Sequence, residues 1–151
     1  MITVNGLDEV KALAGRDLGH SSWLEVTQER VNAFAEATGD HQWIHVDLER
    51  ARGGPFKGTI AHGYLTLSLV IPFFSEILTI EGIEMGVNYG LDKVRFPSPV
   101  RVGSKIRLAA AVAEVQEIKP GCVQMVLDFT VEIDGVDKPA CVARPVYRYY
   151  A

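Results

Sequence analysis

The run from Ile60 to Leu78, IAHGYLTLSLVIPFFSEIL, constrains the fold more than any other part of the chain. Ile60, Leu65, Leu67, Leu69, Val70, Ile71, Phe73, Phe74, Ile77 and Leu78 are apolar almost all the way round a helical projection. This predicts a helix that starts between Thr59 and His62, is buried on most sides, and is bent or ended in its first part by Pro72. Pro72 and Glu76 interrupt the stretch, which is too short and too polar at its ends to span a bilayer. A soluble helix this apolar needs a sheet wrapped about it.

The second half of the chain supplies the sheet. From Met85 onward the period changes from helical to alternating, and four strands are predicted: Gly86–Phe96, Lys105–Glu117, Val123–Ile133 and Val142–Tyr150. Pro97-Ser98-Pro99, Pro120-Gly121 and Asp134-Gly135 mark the turns between them. In the first half, residues 7 to 14 read as a short helix and Ser22–Val26 as an edge strand. Thr27 N-caps a helix with Val31, Phe34, Ala35 and Thr38 on one face, and Gly39 ends it. The expectation is a single α+β domain over residues 1–151, its curved antiparallel sheet wrapped around one long helix. Such a sheet leaves a long free edge, so a homodimer with a continuous sheet is expected.

Composition narrows the function. A formal net charge of −4 and a pI near 5.5 give no basic field for nucleic acid or an anionic membrane. The N-terminus lacks the apolar core of a secretory signal, which makes the cytoplasm the expected location. A two-residue turn at Asp134-Gly135 would place Cys141 opposite Asp128, roughly 20 Å from Cys122 at about 3.3 Å per residue. The two cysteines are therefore expected to be free thiols.

The stretch from Thr38 to Tyr64 holds three of the four histidines, an aspartate and two glycine signals between two helical patterns. It is the candidate active site, with a loop at 40–58 ordered by its ends rather than by regular structure. His41 and His45 stand at i, i+4 with His62 as a third metal donor. However, Gln42 occupies the place of a metalloprotease glutamate and no helical pattern holds the pair, so no metal is assigned. Ser68 has no glycine elbow, and neither cysteine has a charged neighbour to activate it. Asp40 and His45 remain. A carboxylate and an imidazole at this spacing either hold one water for general acid–base chemistry or serve as a turn cap and a satisfied histidine. The Gly63 amide, at a helix start, either binds a carbonyl oxygen or merely allows close packing.

Three motifs in order, TGDHQWIHVD, IAHGYLTLSL and VRFPSPVRVGSKI, resemble the MaoC-like, R-specific enoyl-CoA hydratase (hydratase 2) family. The resemblance spans about residues 25 to 117. It implies the hot-dog fold, homodimerisation, and reversible syn hydration of trans-2-enoyl thioesters to (R)-3-hydroxyacyl products in fatty acid metabolism. No cofactor is implied beyond the coenzyme A or acyl carrier protein carried by the substrate. Asp40 and His45 match the family's catalytic pair, with Asp40 favoured as the base that activates water and His45 as the proton donor to C2. Gly63 matches the position whose amide contacts the thioester carbonyl. Gln42 and Trp43 stand where the family commonly has asparagine and proline, and Ile71 where some relatives carry a site serine. Arg50, Arg52 and Lys57 could meet nucleotide phosphates, but solvated loop charge explains them and they stay outside the candidate site. The alternatives are a thioesterase on the same fold and a non-catalytic acyl-thioester-binding subunit; the retained pair and the His62-Gly63-Tyr64 segment favour the hydratase.

Overall fold

The structure, a computed structural model, describes all 151 residues. Strand β1 (Ile2–Asn5), helix α1 (Gly6–Lys11), and strands β2 (Asp17–His20) and β3 (Leu24–Glu25) lead into helix α2 (Gln28–Thr38). Two short helices, α3 (Trp43–Val46) and α4 (Leu48–Arg52), precede α5 (Gly63–Ser68) and α6 (Val70–Ile77). Strands β4 (Leu78–Glu81), β5 (Met85–Arg95), β6 (Lys105–Lys119), β7 (Cys122–Ile133) and β8 (Val136–Tyr150) complete the chain.

The main sheet runs β2-β6-β7-β8-β5, all neighbours antiparallel, with β3 also on β6. Its inner face follows the alternation in the sequence: Val123, Met125, Leu127, Phe129, Val131 and Ile133 of β7 are all buried, as are Ile106, Leu108, Ala110 and Val112 of β6. Phe73, Phe74 and Ile77 of α6 are buried in the same core. Burial of side chains of this size is worth about 1.5–3 kcal/mol each, which makes the sheet–helix contact the main source of stability.

Both hairpin turns sit where expected, with Lys119 paired to Cys122 and Ile133 to Val136. A register shift between Val131 and Ile133 then places Cys141 opposite Val131 rather than Asp128. Cys122 pairs with Tyr150, so the thiols lie roughly 30 Å apart along β8 at about 3.3 Å per residue. Both are free and buried.

The long helix is bent, as Pro72 led us to expect, in two segments meeting at Leu69, because Pro72 has no N–H to offer Ser68 one turn earlier. Three expectations need correction. The helical path starts at Gly63, and Ile60 instead forms an extended bridge with Arg101. The helix is also not buried on most sides within one chain, since Tyr64 and Ile71 are 73% and 42% exposed. Finally, the 40–58 segment is not a plain loop: the Asp47 side chain accepts from the Arg50 amide and caps α4. Strands β1, β2 and β4 are additional to those read from the sequence; at four residues each they are too short for alternation to declare them.

Candidate active site

Helix α2 delivers the chain to the site. Thr27 caps its start by accepting from the Arg30 amide, and Gly39 ends it with φ +80°, a left-handed conformation that glycine adopts without strain. Asp40 follows at once. Its carboxylate accepts from the Gln42 amide at 3.3 Å, an Asx-type turn that starts α3. The single turn of α3 then carries His45 into the interior, where only 6% of it remains exposed.

His45 is fixed from both ends. Its Nδ1 donates to the Ile60 carbonyl at 2.7 Å, and the Ile60 amide donates to the Ile44 carbonyl at 3.0 Å. The Gln28 side-chain amide holds the His45 carbonyl at 2.8 Å, and Gln28 Oε1 accepts from the Thr59 hydroxyl at 2.6 Å. With Nδ1 acting as donor, the neutral ring carries its lone pair on Nε2. Burial lowers the His45 pKa below its ordinary value. The bond to Ile60 opposes that shift, nearby His62 adds to it, and Asp40 opposes it. The ring is therefore neutral, and able to accept a proton, near pH 7.

His62 joins the pair; from the sequence its side chain had no role beyond that of a possible metal donor, and its segment counted only as part of the motif. Its Nε2 donates to the backbone carbonyl of Asp40 at 2.9 Å, and its ring stacks on His45 with centroids 3.8 Å apart and planes 22° from parallel. Phe34 covers the group with its ring centroid 4.9 Å from that of His62. His62 Nδ1 is buried without a partner. One sequence signal for a special role existed: His62 occupies the N-cap of α5, where serine, threonine, aspartate and asparagine are favoured, and its side chain makes no cap bond. His41, by contrast, lies outside α3, is exposed, and approaches Glu36 at 3.5 Å, so the i, i+4 histidine pair never assembles.

A cavity of about 400 Å³ opens between this cluster and the chain after β5. His45 and Gly63 line it together with Ile44, Phe56, Phe96 and Val100, so one ionisable group and one helix-start amide share a mostly apolar space. Residues 9–132 match the family model of the MaoC like domain. The chain belongs to the MaoC-like family. It is 49% identical to the 3-hydroxyacyl-thioester dehydratase Z of Mycobacterium tuberculosis over 151 residues, the whole of both chains. Two solved structures share its hot-dog fold. The monoamine oxidase regulatory protein from Archaeoglobus fulgius superposes with a TM-score of 0.80 at 22% identity, covering 99% of this chain and 98% of that one. The (R)-hydratase from A. caviae gives 0.72 at 23% identity, covering 89% and 94%.

At Trp43 of this MaoC-like chain, where the resemblance led one to expect the smaller proline, the structure shows where the larger ring goes. Trp43 does not line the cavity. The Arg50 guanidinium lies 4.3 Å from its ring centroid, and a Cβ on Gly54 would meet its ring at 3.0 Å, so the indole packs on the α4 loop. The other nucleophile candidates are idle. Ser68 Oγ donates to the Tyr64 carbonyl at 2.7 Å, and burial pushes the Cys141 thiol up to about 11.

One atom each from Asp40, His45 and His62 lies within 4.8 Å of the others, a donor set that suits a divalent metal in kind. It fits poorly in geometry. Stacked rings keep their in-plane lone pairs in nearly parallel planes, whereas an ion about 2.0 Å from each nitrogen must lie in both. The same spacing suits a water, which can reach a carboxylate and an imidazole through two hydrogen bonds of about 2.8 Å each.

Proposed function

We propose that this single MaoC-like domain is an (R)-specific hydratase acting reversibly on trans-2-enoyl thioesters of coenzyme A or acyl carrier protein. The observation that carries the reading is the shared cavity: His45, whose free nitrogen is Nε2, and the Gly63 amide face one mostly apolar space with Asp40 beside them. In the hydration direction a water held by Asp40 and His45 gives a proton to Nε2, and its oxygen bonds to C3. The electron pair of the double bond moves toward the thioester oxygen, where the Gly63 amide stabilises it. Nε2 then returns the proton to C2 on the same face, so one water supplies both atoms and the addition is syn. Neutral His45 can donate to C2 only after it has received a proton. In this reading its burial favours His45 over Asp40, the sequence expectation, as the base, with Asp40 orienting the water and balancing the imidazolium.

The chemistry calls on no resident metal or cofactor. The reading extends to a homodimer joined through the free edge of β5 and to a reducing, cytoplasmic setting in which buried thiols stay reduced. It is tested with crotonyl-CoA: the enoyl-thioester absorbance should fall without thiol release, and chiral analysis of the product should give the R isomer. Asp40→Asn and His45→Gln should each lower the rate about a hundredfold or more with the fold intact. Release of coenzyme A thiol would identify a thioesterase instead, and no change in either signal would leave a binding subunit.

A further inference from the structure

Arg52 and Lys57 from one segment and Arg101 from a distant one line one cavity of about 250 Å³, together with Gln28 and Thr59. No acidic residue lines it, and none of the three cations takes part in an ion pair. In a chain of net charge −4 this is a local reversal of sign. Arg50, the neighbouring cation, is held over Trp43 and lies outside the group. Arg101 Nη2 donates to the Lys57 carbonyl at 3.0 Å, which holds Lys57 at φ +57°, a left-handed conformation that lysine rarely adopts. The three charges are thus gathered around an open space without a counter-charge.

The position of that space relative to the site gives it a use. Thr59, Arg101 and Val102 line the cationic cavity, while Ile60, Ala61 and Val100 line the one containing His45 and Gly63. These residues form one strip, tied by Ala61 N to Val100 O at 2.8 Å and Val102 N to Thr59 O at 3.0 Å. Phe56 belongs to one cavity and Lys57 and Gly58 to the other. Gln28 connects them as well, accepting from Thr59 while donating to the carbonyl of His45.

We propose that the cationic cavity receives the phosphate end of a phosphopantetheine thioester whose acyl head lies against His45 and Gly63. This rests on the hydratase reading for the thioester, but not for the anion. A pantetheine arm has about four residue-lengths between sulfur and phosphorus, roughly 14 Å at about 3.5 Å each, and the two cavities it would join adjoin at Phe56–Gly58 and along the Thr59–Ala61 strip. Two guanidinium forks and one ammonium match the oxygens of a phosphate ester, the forks by paired hydrogen bonds and the lysine as a point charge.

Binding of pantetheine, 4′-phosphopantetheine and coenzyme A, measured by calorimetry at low salt, tests this without requiring turnover. At roughly two- to fivefold per exposed charge, the two phosphorylated probes should bind about ten- to a hundredfold tighter than pantetheine. That advantage should shrink at high salt. The R52Q/K57Q/R101Q variant should bind all three within about twofold of one another, and R52Q/K57Q, which keeps the Arg101 bond, should lose most of the preference. Tighter binding of coenzyme A than of phosphopantetheine, lost in the variants, would place nucleotide phosphates in the cavity. Equal binding of the two would place there the single phosphate common to both carriers. Equal wild-type affinity for all three probes would overturn the proposal, as would variants that weaken pantetheine as much as coenzyme A. If crotonyl-CoA is not hydrated but the phosphate preference disappears in the variants, the reaction class is wrong and the phosphate site stands. If it is hydrated and the preference is unmoved, the phosphate site alone falls.

Discussion

His62→Phe removes one interaction and keeps another. The aromatic ring preserves the 3.8 Å stack on His45 and the contact with Phe34, while the 2.9 Å bond to the Asp40 carbonyl is lost. A hydrogen bond of this kind is worth about 1 kcal/mol net, equivalent to about fivefold in an equilibrium. Asp40 is exposed, so its carbonyl can turn to solvent and the stability loss should stay near that figure. Under the proposed reading the loss to catalysis should be larger, about tenfold in kcat/KM, because the carbonyl belongs to the residue whose carboxylate would hold the water. His62 also helps to lower the pKa of His45, so replacing it should move the acid limb of the pH–rate profile upward. Steady-state hydration of crotonyl-CoA across pH, alongside thermal unfolding, measures all three effects. His62→Gln, whose amide can again donate to Asp40, should recover part of the rate. Wild-type kcat/KM with an unmoved acid limb, in a protein merely less stable, would refute the positioning role and leave His62 as packing.

Gly63→Ala keeps the amide but places a Cβ 3.2 Å from the ring of Phe96, which is half exposed and can swing into the cavity. KM for crotonyl-CoA should rise several-fold with little change in unfolding temperature. Because burial lowers the pKa of His45, its neutral form should persist below its ordinary value of 6.5. The acid limb of kcat/KM should therefore fall below pH 6.5. The stability contributed by this shift should be complete above that value and be lost as pH falls through the lowered one, which unfolding midpoints against pH would show. Val87→Lys with Leu91→Lys on β5 should reduce the solution mass to that of a monomer by light scattering; an unchanged mass would place the interface elsewhere.

The sheet was legible because β6 as far as Val112 and β7 from Val123 to Ile133 obey the two-residue period, and the strands end in turns that Pro120-Gly121 and Asp134-Gly135 specify. The register of β8 was not, because the irregularity between Val131 and Ile133 leaves no mark on the apolar pattern. At the site, Gly39, Asp40, His45 and Gly63 could be read from spacing and resemblance. The bonds that fix them could not, since Ile60 O to His45, Asp40 O to His62 and Gln28 to His45 O all use backbone oxygens or partners 15 to 22 residues away. A backbone carbonyl has no residue type, so a sequence cannot advertise it as a ligand. The cationic cavity was half legible: Arg52 and Lys57 could be read as phosphate contacts but were explained as solvated loop charge, and spacing gives no sign that the fold brings Arg101 to them from a separate segment.

The incomplete burial of the central helix bears on the chemistry. Its apolar surface was expected to be covered, yet Tyr64 and Ile71 are exposed, Ile71 beside β5, whose Met85, Val87, Tyr89 and Leu91 are also exposed and whose second edge pairs with nothing in the chain. Between them lies a cavity of about 370 Å³ lined by Leu67, Ile71, Leu91 and Phe129. An uncovered apolar surface beside an open strand edge is costly in water. A second copy paired along β5 would complete the sheet and close the outer side of this cavity. Charge building on a thioester oxygen is better stabilised by an amide such as Gly63 when water is excluded, because the local dielectric is then low. If a second copy covers the exposed side of α5 and α6, the proposed reading ties subunit pairing to catalysis: a monomeric β5 variant with an intact fold should lose activity even though Asp40, His45, His62 and Gly63 are untouched.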